Sequence, residues 1–230
     1  MKTSLTQRLA SVHERIQNAA LACGRAPETV RLVAISKFHP ISAVREVYDA
    51  GQVDFGESYI QEALAKQDES TDLAIAWHFV GKLQKNKAKF AVGRFALIHA
   101  VDSLELATTL ERRASEHIVQ DILIQVNLAR EPQKSGVMEE KLDALVEGIL
   151  ELHQVRLQGF MVMPPFSDDP ETSRPFFRRL FETRERIGRE FGINLPHLSM
   201  GMSGDLEVAV EEGATLVRVG TDIFGPRPVV

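Results

Sequence analysis

Lys37 follows a short apolar run, and this position is the first feature of the sequence that suggests chemistry. Residues 32–35, Leu-Val-Ala-Ile, predict a buried strand that leads into Ser36 and Lys37. Burial lowers the pKa of a lysine and leaves its amine able to act as a nucleophile or to form a Schiff base. Strand-to-helix turns are commonly polar, so a solvated turn lysine is the alternative interpretation.

A second group of chemically able residues lies at 199–205, where SMGMSGD precedes a predicted helix. Ser199 and Ser203 supply hydroxyl donors, and the two glycines let backbone N–H groups approach an anion. The helix that begins near Asp205 points its positive end the same way. The segment predicts a phosphate cradle, although an ordinary N-cap would use the same residues.

Arg218 lies in the last apolar run, VRVGTDIFG. In a strand, Arg218 and Gly220 share one face, and the neighbouring valines occupy the other. If the valines face covering helices, the guanidinium faces the protein interior, where it requires an acceptor. Glu57 is the structural candidate for that acceptor, and a ligand atom is the functional one.

Together these residues suit pyridoxal phosphate as a cofactor. Lys37 would form the Schiff base, and Arg218 would donate to the pyridine nitrogen. Because a guanidinium stays charged, it leaves that nitrogen unprotonated and makes the ring a weaker electron sink. The phosphate would be held by Ser199, Ser203, Gly220 and Thr221.

Alternating strands and helices must position these residues. The predicted strands are nearly continuous apolar runs, which is typical of a parallel sheet covered by helices. Strands are predicted at residues 32–35, 53–57, 77–81, 96–102, 121–127, 156–164, 197–201 and 215–225. Helices are predicted at residues 4–22, 41–51, 58–67, 86–94, 103–118, 139–153, 171–191 and 205–213.

This pattern predicts an α/β protein with a closed (β/α)8 TIM barrel, an extra N-terminal helix, and little or no helix after strand eight. Residues 1–230 are expected to form a single domain, because no linker or low-complexity segment divides them. The active face would lie at the C-terminal ends of the strands. A doubly wound open sheet is the alternative, but SKFHP lacks the glycine-rich turn that favours it.

The composition argues against several function classes. The 230 residues are 44% hydrophobic and 26% charged, with a net charge of -5, so no nucleic-acid partner is expected despite the basic stretch at 82–89. The single cysteine, Cys23, excludes an internal disulfide and suits a reducing, cytoplasmic environment. No signal peptide or membrane-spanning segment is expected.

Other residues that could take part in chemistry are interpreted as structural. His78 and His99 lack metal-ligand spacing and are expected to be core or rim histidines, so no metal site is predicted. Trp77 is expected to pack between strand three and its helices. The methionines are interpreted as pocket lining or core, and they are Met161, Met163, Met200 and Met202.

Over nearly its whole length the sequence resembles the pyridoxal phosphate homeostasis proteins, single-barrel relatives of the alanine racemase N-terminal domain. The segments that carry this resemblance are AISK at 34–37, FGESYIQE at 55–62, WHFVGKLQKNK at 77–87, NLAREPQKSG at 127–136, GFMVMP at 159–164 and LSMGMSGDLEVAVEEGATLVRVGTDIFGPR at 198–227.

The resemblance implies covalent pyridoxal phosphate on Lys37, no established catalytic reaction, and an influence on vitamin B6 and amino-acid balance. It also implies that Arg218 is the partner of the pyridine nitrogen. Phosphate contacts are implied around Ser199, Met202, Ser203, Gly220 and Thr221. Pyridoxal phosphate-dependent apoenzymes are the expected transient partners, and the chain is expected to be a monomer.

Two departures from the family pattern concern the same region. Members usually read SKTKP where this chain has SKFHP, and GENY where it has GESY. His39 therefore replaces a second lysine, which puts in doubt any route that passes the aldehyde to a neighbouring amine, while Lys134 is retained. Ser58 in place of asparagine is expected to loosen a contact near the cofactor.

Two enzyme classes stay open as alternatives. A fold-type III racemase or decarboxylase would use the same cofactor, but related racemases draw a second acid and part of the pocket from an additional β-domain, which is not expected here. Only Tyr48 and Tyr59 are available as tyrosine acids, so at most a weak side activity is expected. An aldolase-like barrel would use Lys37 without the cofactor, and it would show no visible absorption band.

Overall fold

The computed structural model describes residues 3–131 and 135–226 and shows a closed parallel barrel. Lys134, which the sequence analysis singled out, lies outside these ranges. The strands are β1 (Arg31–Ile35), β2 (Asp54–Glu57), β3 (Ala76–Phe79), β4 (Leu97–Val101), β5 (Gln120–Gln125), β6 (Val155–Met161), β7 (His197–Ser199) and β8 (Leu216–Val219). Each strand pairs with its sequence neighbours and β8 pairs with β1, so the predicted single-domain barrel is confirmed.

Helices connect the strands on the outside. They are α1 (Leu5–Ala22), α2 (Ile41–Asp49), α3 (Ile60–Asp68), α4 (Leu104–Glu111), α5 (Leu142–Leu150), α6 (Arg174–Phe191), α7 (Leu206–Glu211) and α8 (Thr221–Phe224). A capping box formed by Ser4 and Gln7 begins α1, the predicted extra helix. Within residues 3–131 and 135–226, no helix is both long and apolar enough to cross a membrane.

Several predicted boundaries are wrong, and two of these differences change the type of element. The segment 215–225 is not one strand, because β8 ends at Val219 and the short helix α8 begins at Thr221. The backbone turns at Gly220, where an added Cβ would lie 3.1 Å from the carbonyl oxygen of Ile35. The predicted helix at 86–94 is a 3-10 helix over Lys85–Phe90.

Side chains alternate between the barrel interior and the helices along β1, β2 and β8, whereas register shifts interrupt the alternation on β4 and β6. On β8, Val217 and Val219 join the core that packs under the helices, while Leu216 belongs to a separate interior cluster. Arg218 therefore points inward, as the position of the valines predicted. The apolar members of the interior cluster are Val33, Ile35, Leu97, Ala100, Leu123, Met161 and Leu216.

Lys66 forms a buried ionic cluster on the outer side of β1 and β2. Its Nζ lies 2.6 Å from Glu57 Oε1 and 2.7 Å from Glu62 Oε1, and it donates to the carbonyl oxygen of Ser36 at 2.8 Å. Burial raises the pKa of the fully buried Glu57, while Lys66 and the Ser36 hydroxyl favour its charged form. The cluster ties α3 to the ends of both strands, directly before Lys37.

The turn that carries Lys37 depends on the same cluster. Phe38 has a φ of 68°, a left-handed conformation that costs a non-glycine residue about 1 kcal/mol. Its N–H donates to Glu62 Oε1 at 2.5 Å, and its ring packs against Tyr59 with centroids 5.3 Å apart. Glu62 thus connects the buried cation of Lys66 to the backbone next to Lys37.

Replacing Lys66 with methionine should destabilise the protein far more than breaking a surface ion pair. The variant leaves Glu57 buried without its cation, so the free energy of unfolding in urea should fall by about 3 kcal/mol. Arg45→Met is the matched control: it removes a pair with Asp72 that is largely exposed and should cost less than about 1 kcal/mol. Adding Glu57→Gln to Lys66→Met should recover part of the loss, and equal effects of Lys66→Met and Arg45→Met would contradict this account.

Candidate functional site

A cavity of about 400 Å³ opens at the C-terminal ends of the strands, where the sequence analysis placed the active face. It is lined from β1 and β8 and from the segments that follow β1, β2, β3, β6, β7 and β8. Ser58, one of the two departures from the family pattern, also lines it. The predicted site residues that it brings together are Lys37, Met202, Ser203, Arg218, Gly220 and Thr221.

Arg218 lies at the base of this cavity with only 5% of its surface exposed. Its Nη1 donates to Ser199 Oγ at 2.7 Å and its Nη2 to the carbonyl oxygen of Val162 at 3.0 Å. The interpretation of Glu57 as its structural acceptor is wrong. Glu57 lies one position beyond the inward-facing Gly56 and so points to the opposite side of the sheet, where Lys66 holds it.

The charge of Arg218 suits the ring nitrogen of a pyridine ligand. Burial lowers the pKa of its guanidinium to about 10, which still leaves it cationic at neutral pH. A guanidinium has five N–H donors, and two protein acceptors hold it. The side chain also borders the cavity, so the residues present fit a ligand whose acceptor atom approaches from that side.

Ser199 lies below the cavity rather than in its wall. It is fully buried, and its hydroxyl is hydrogen-bonded to His99 Nδ1 at 2.8 Å and to Arg218 at 2.7 Å. These contacts occupy the side chain with interior partners. A phosphate contact of the Ser199 side chain stays a prediction, whereas its contact with Arg218 is a feature of the fold.

The loop after β7 has the geometry of an anion cradle. Asp205 accepts from the N–H of Met202 at 2.7 Å and from the Ser173 hydroxyl at 2.8 Å, and these bonds fix the loop. In the described chain the N–H groups of Ser203 and Gly204 have no protein acceptor. A Cβ added at Gly204 would meet open space, so the backbone is accessible there. The loop therefore fits a phosphate group.

Arg15, on the extra N-terminal helix α1, contacts the segments after β7 and β8 from the outer side of the barrel. Its Nε lies 2.6 Å from Glu207 Oε1 and its Nη1 lies 2.5 Å from Asp222 Oδ2. Its Nη2 also donates to the carbonyl oxygen of Ser203 at 2.9 Å. One side chain thus joins the loops after β7 and β8. Sequence analysis missed Arg15 because its partners lie 188 to 207 positions away in the chain.

The structural interpretations of the remaining residues are confirmed. His78 and His99 are buried and hydrogen-bonded to each other at 2.9 Å. Trp77 is buried on β3 against the ring of Phe55, with centroids 5.9 Å apart. Met163 and Met202 line the cavity, whereas Met161 and Met200 are core residues.

The two tyrosines do not line the cavity. The hydroxyl of Tyr48 on α2 accepts from the N–H of Ala74 at 3.2 Å, which ties it to the outer layer. Tyr59 is half exposed and packs on Phe38. Neither residue is placed as an acid facing the predicted cofactor.

Comparisons with known proteins extend over almost the whole chain. The family model described as alanine racemase, N-terminal domain, matches residues 9–228. A pyridoxal phosphate homeostasis protein of Aquifex aeolicus is 47% identical, with 96% of this chain and 97% of the relative covered. A protein of the same name from Pseudomonas aeruginosa is 42% identical, with 98% and 96% covered.

A solved structure agrees with this relationship. PipY of Synechococcus elongatus, with PLP bound, superposes with a TM-score of 0.86 at 40% identity, and the match covers 96% of this chain and 100% of PipY. The two proteins are therefore similar in sequence as well as in fold over almost their whole length. The chain therefore belongs to the alanine racemase N-terminal domain family and, within it, to the pyridoxal phosphate homeostasis proteins.

Proposed function

We propose that this protein binds pyridoxal phosphate covalently, as a Schiff base on Lys37, and holds it for vitamin B6 homeostasis in the cytoplasm without catalysing a reaction. The observation that carries the proposal is the cavity that Lys37 and Arg218 line together with the loop at Ser203 and Gly204. A PLP-bound relative of the same fold supports the choice of ligand.

Each side of the cavity has a separate task in this proposal. Bound pyridoxal phosphate supplies an electrophilic aldehyde and an electron-accepting ring. Lys37 would hold the cofactor through that aldehyde, with release of one water molecule. Arg218 would donate to the ring nitrogen. Ser203, Gly204 and Thr221 would bind the phosphate.

The electrostatics favour retention of the cofactor over turnover. Arg218 keeps its proton at neutral pH, so it stabilises an unprotonated ring nitrogen, which is a poor acceptor for electrons from a substrate. The names of the relatives also describe homeostasis rather than a reaction. We further propose that the protein acts as a monomer and passes the cofactor transiently to apoenzymes that depend on it.

Borohydride reduction followed by peptide mass mapping tests the covalent bond. After incubation with pyridoxal phosphate, the wild type should carry a pyridoxyl group on Lys37 and show a visible absorption band. Lys37→Arg is the matched control because it keeps the positive charge but has no primary amine, and it should lose both signals. An adduct found chiefly on Lys82 or Lys134, or a wild type that gains no band, would contradict the proposal.

Replacing Arg218 should affect both affinity and colour. Arg218→Ala should weaken binding of pyridoxal phosphate about tenfold or more and shift the absorption maximum, because a charged hydrogen bond to the ring is lost. Arg218→Lys keeps the charge and guards against a folding defect in the alanine variant. Arg45→Ala, on the surface, should change neither quantity. Unchanged affinity and spectrum in both Arg218 variants would remove this residue from the site.

Arg15 should matter for the phosphate and not for the ring. Arg15→Met frees the loops after β7 and β8, so affinity for pyridoxal phosphate should fall several-fold, whereas affinity for pyridoxal should stay the same. The absorption maximum should not move. Glu14→Gln, an exposed neighbour on α1, serves as the control. Equal losses for the two ligands would show that Arg15 acts on stability alone.

A further inference from the structure

A continuous series of polar side chains crosses the barrel interior below the cavity. Asp54 Oδ1 lies 2.9 Å from His78 Nε2, and His78 Nδ1 lies 2.9 Å from His99 Nε2. His99 Nδ1 lies 2.8 Å from Ser199 Oγ, which accepts from Arg218 Nη1 at 2.7 Å. These residues come from β2, β3, β4, β7 and β8, and we call them the interior chain.

The interior chain runs from the N-terminal end of the barrel to the base of the cavity. Asp54 is the first residue of β2, and Arg31, the first residue of β1, pairs with its carboxylate. Arg218 lies at the base of the cavity. The chain therefore connects a carboxylate at the N-terminal end of the barrel to the cation at the proposed cofactor site.

The hydrogen bonds of the interior chain satisfy all of its donors in one direction only. Although burial opposes the charge of Asp54, its bonds to His78 and Arg31 lower its pKa, so it accepts from His78 Nε2. Burial, with His78 and Arg218 nearby, lowers the pKa of His99 well below its usual value, so His99 is neutral. A neutral His99 has one donor and one acceptor nitrogen.

The Ser199 hydroxyl decides which nitrogen of His99 carries the proton. If Ser199 donates to His99 Nδ1, it still accepts from Arg218, and His99 Nε2 donates to His78 Nδ1. If His99 Nδ1 donates instead, the Ser199 hydroxyl hydrogen has no acceptor among the described residues. Because Ser199 is fully buried, the first arrangement is favoured. All donors then point from Arg218 toward Asp54.

We propose that the interior chain positions Arg218 for the ring of the cofactor, with His99 and Ser199 as positioning residues that never touch the ligand. The proposal rests on the proposed function of the cavity. Arg218 has no carboxylate partner among the described ion pairs, so Ser199 and the carbonyl of Val162 must hold it. Hydrogen bonds aligned in one direction polarise one another, which strengthens the bond that reaches Arg218.

The interior chain ends at the carboxylate of Asp54, which does not contact Arg218. A carboxylate placed directly against the guanidinium would occupy donors that the ligand needs. The interior chain instead contacts Arg218 through the hydroxyl of Ser199. This contact fixes the plane of the guanidinium through one nitrogen and leaves its other N–H donors available to the cavity.

The state of His99 can be tested without ligand. In the apo protein labelled with ¹⁵N-histidine, both His78 and His99 should carry their proton on Nε2, with Nδ1 unprotonated. In Ser199→Ala the His99 Nδ1 resonance should shift, because it loses its donor. A proton on His99 Nδ1 in the wild type would overturn the proposed direction of the chain.

The effect on the site is tested by a pair of variants at His99. His99→Leu keeps the volume and interrupts the chain, so affinity for pyridoxal phosphate should fall about tenfold and the absorption maximum should shift. His99→Gln supplies an amide N–H donor group and a carbonyl acceptor, and it should recover part of both effects. Leu123→Ala, in the same interior cluster, lowers stability but leaves the chain intact, and it should not move the absorption maximum.

Two outcomes separate this inference from the proposed function. A wild type that forms no adduct on Lys37 would remove both. A wild type that binds normally, with His99→Leu and Ser199→Ala showing wild-type affinity and spectrum, would overturn only the positioning role. Equal spectral shifts in His99→Leu and Leu123→Ala would also overturn it, because they would reflect general loosening of the barrel.

Discussion

The buried guanidinium of Arg218 is the interaction on which the barrel interior depends. A cation that is 5% exposed needs acceptors, and an apolar barrel offers none. Ser199 and the carbonyl of Val162 supply them, and Ser199 requires His99 as its own acceptor. The polar residues below the cavity therefore follow from one requirement, that a charge be kept inside the barrel.

Alternation along the strands separates this interior system from the ionic cluster of Lys66. Gly56 and Glu57 are neighbours on β2, yet Gly56 faces the interior while Glu57 faces α3. A one-residue difference decides which system a side chain joins. The two systems come together around Lys37, which follows the outward-facing Ser36 and lines the cavity.

The sequence predicted the barrel and the inward direction of Arg218 because both depend on local periodicity. The interpretation of Glu57 as an acceptor for Arg218 is wrong because Glu57 follows the inward-facing Gly56 and so lies on the outer face of β2. Arg15 and Lys66 were missed since their roles depend on partners in other elements, and charged residues on amphipathic helices usually face solvent. The order of the interior chain was equally hidden, because it requires the relative heights of side chains from five strands.

The seam between β1 and β8 explains why these parts lie close together. Val219 pairs with Ala34, and Gly220 lies so near Ile35 that a Cβ would come within 3.1 Å of its carbonyl oxygen. Lys37 follows that point on one strand and Arg218 precedes it on the other. His39 stacks on Phe224 at 5.2 Å, which joins the turn after β1 to α8. Closure of the barrel is thus what brings the proposed covalent anchor and the buried cation to the same cavity.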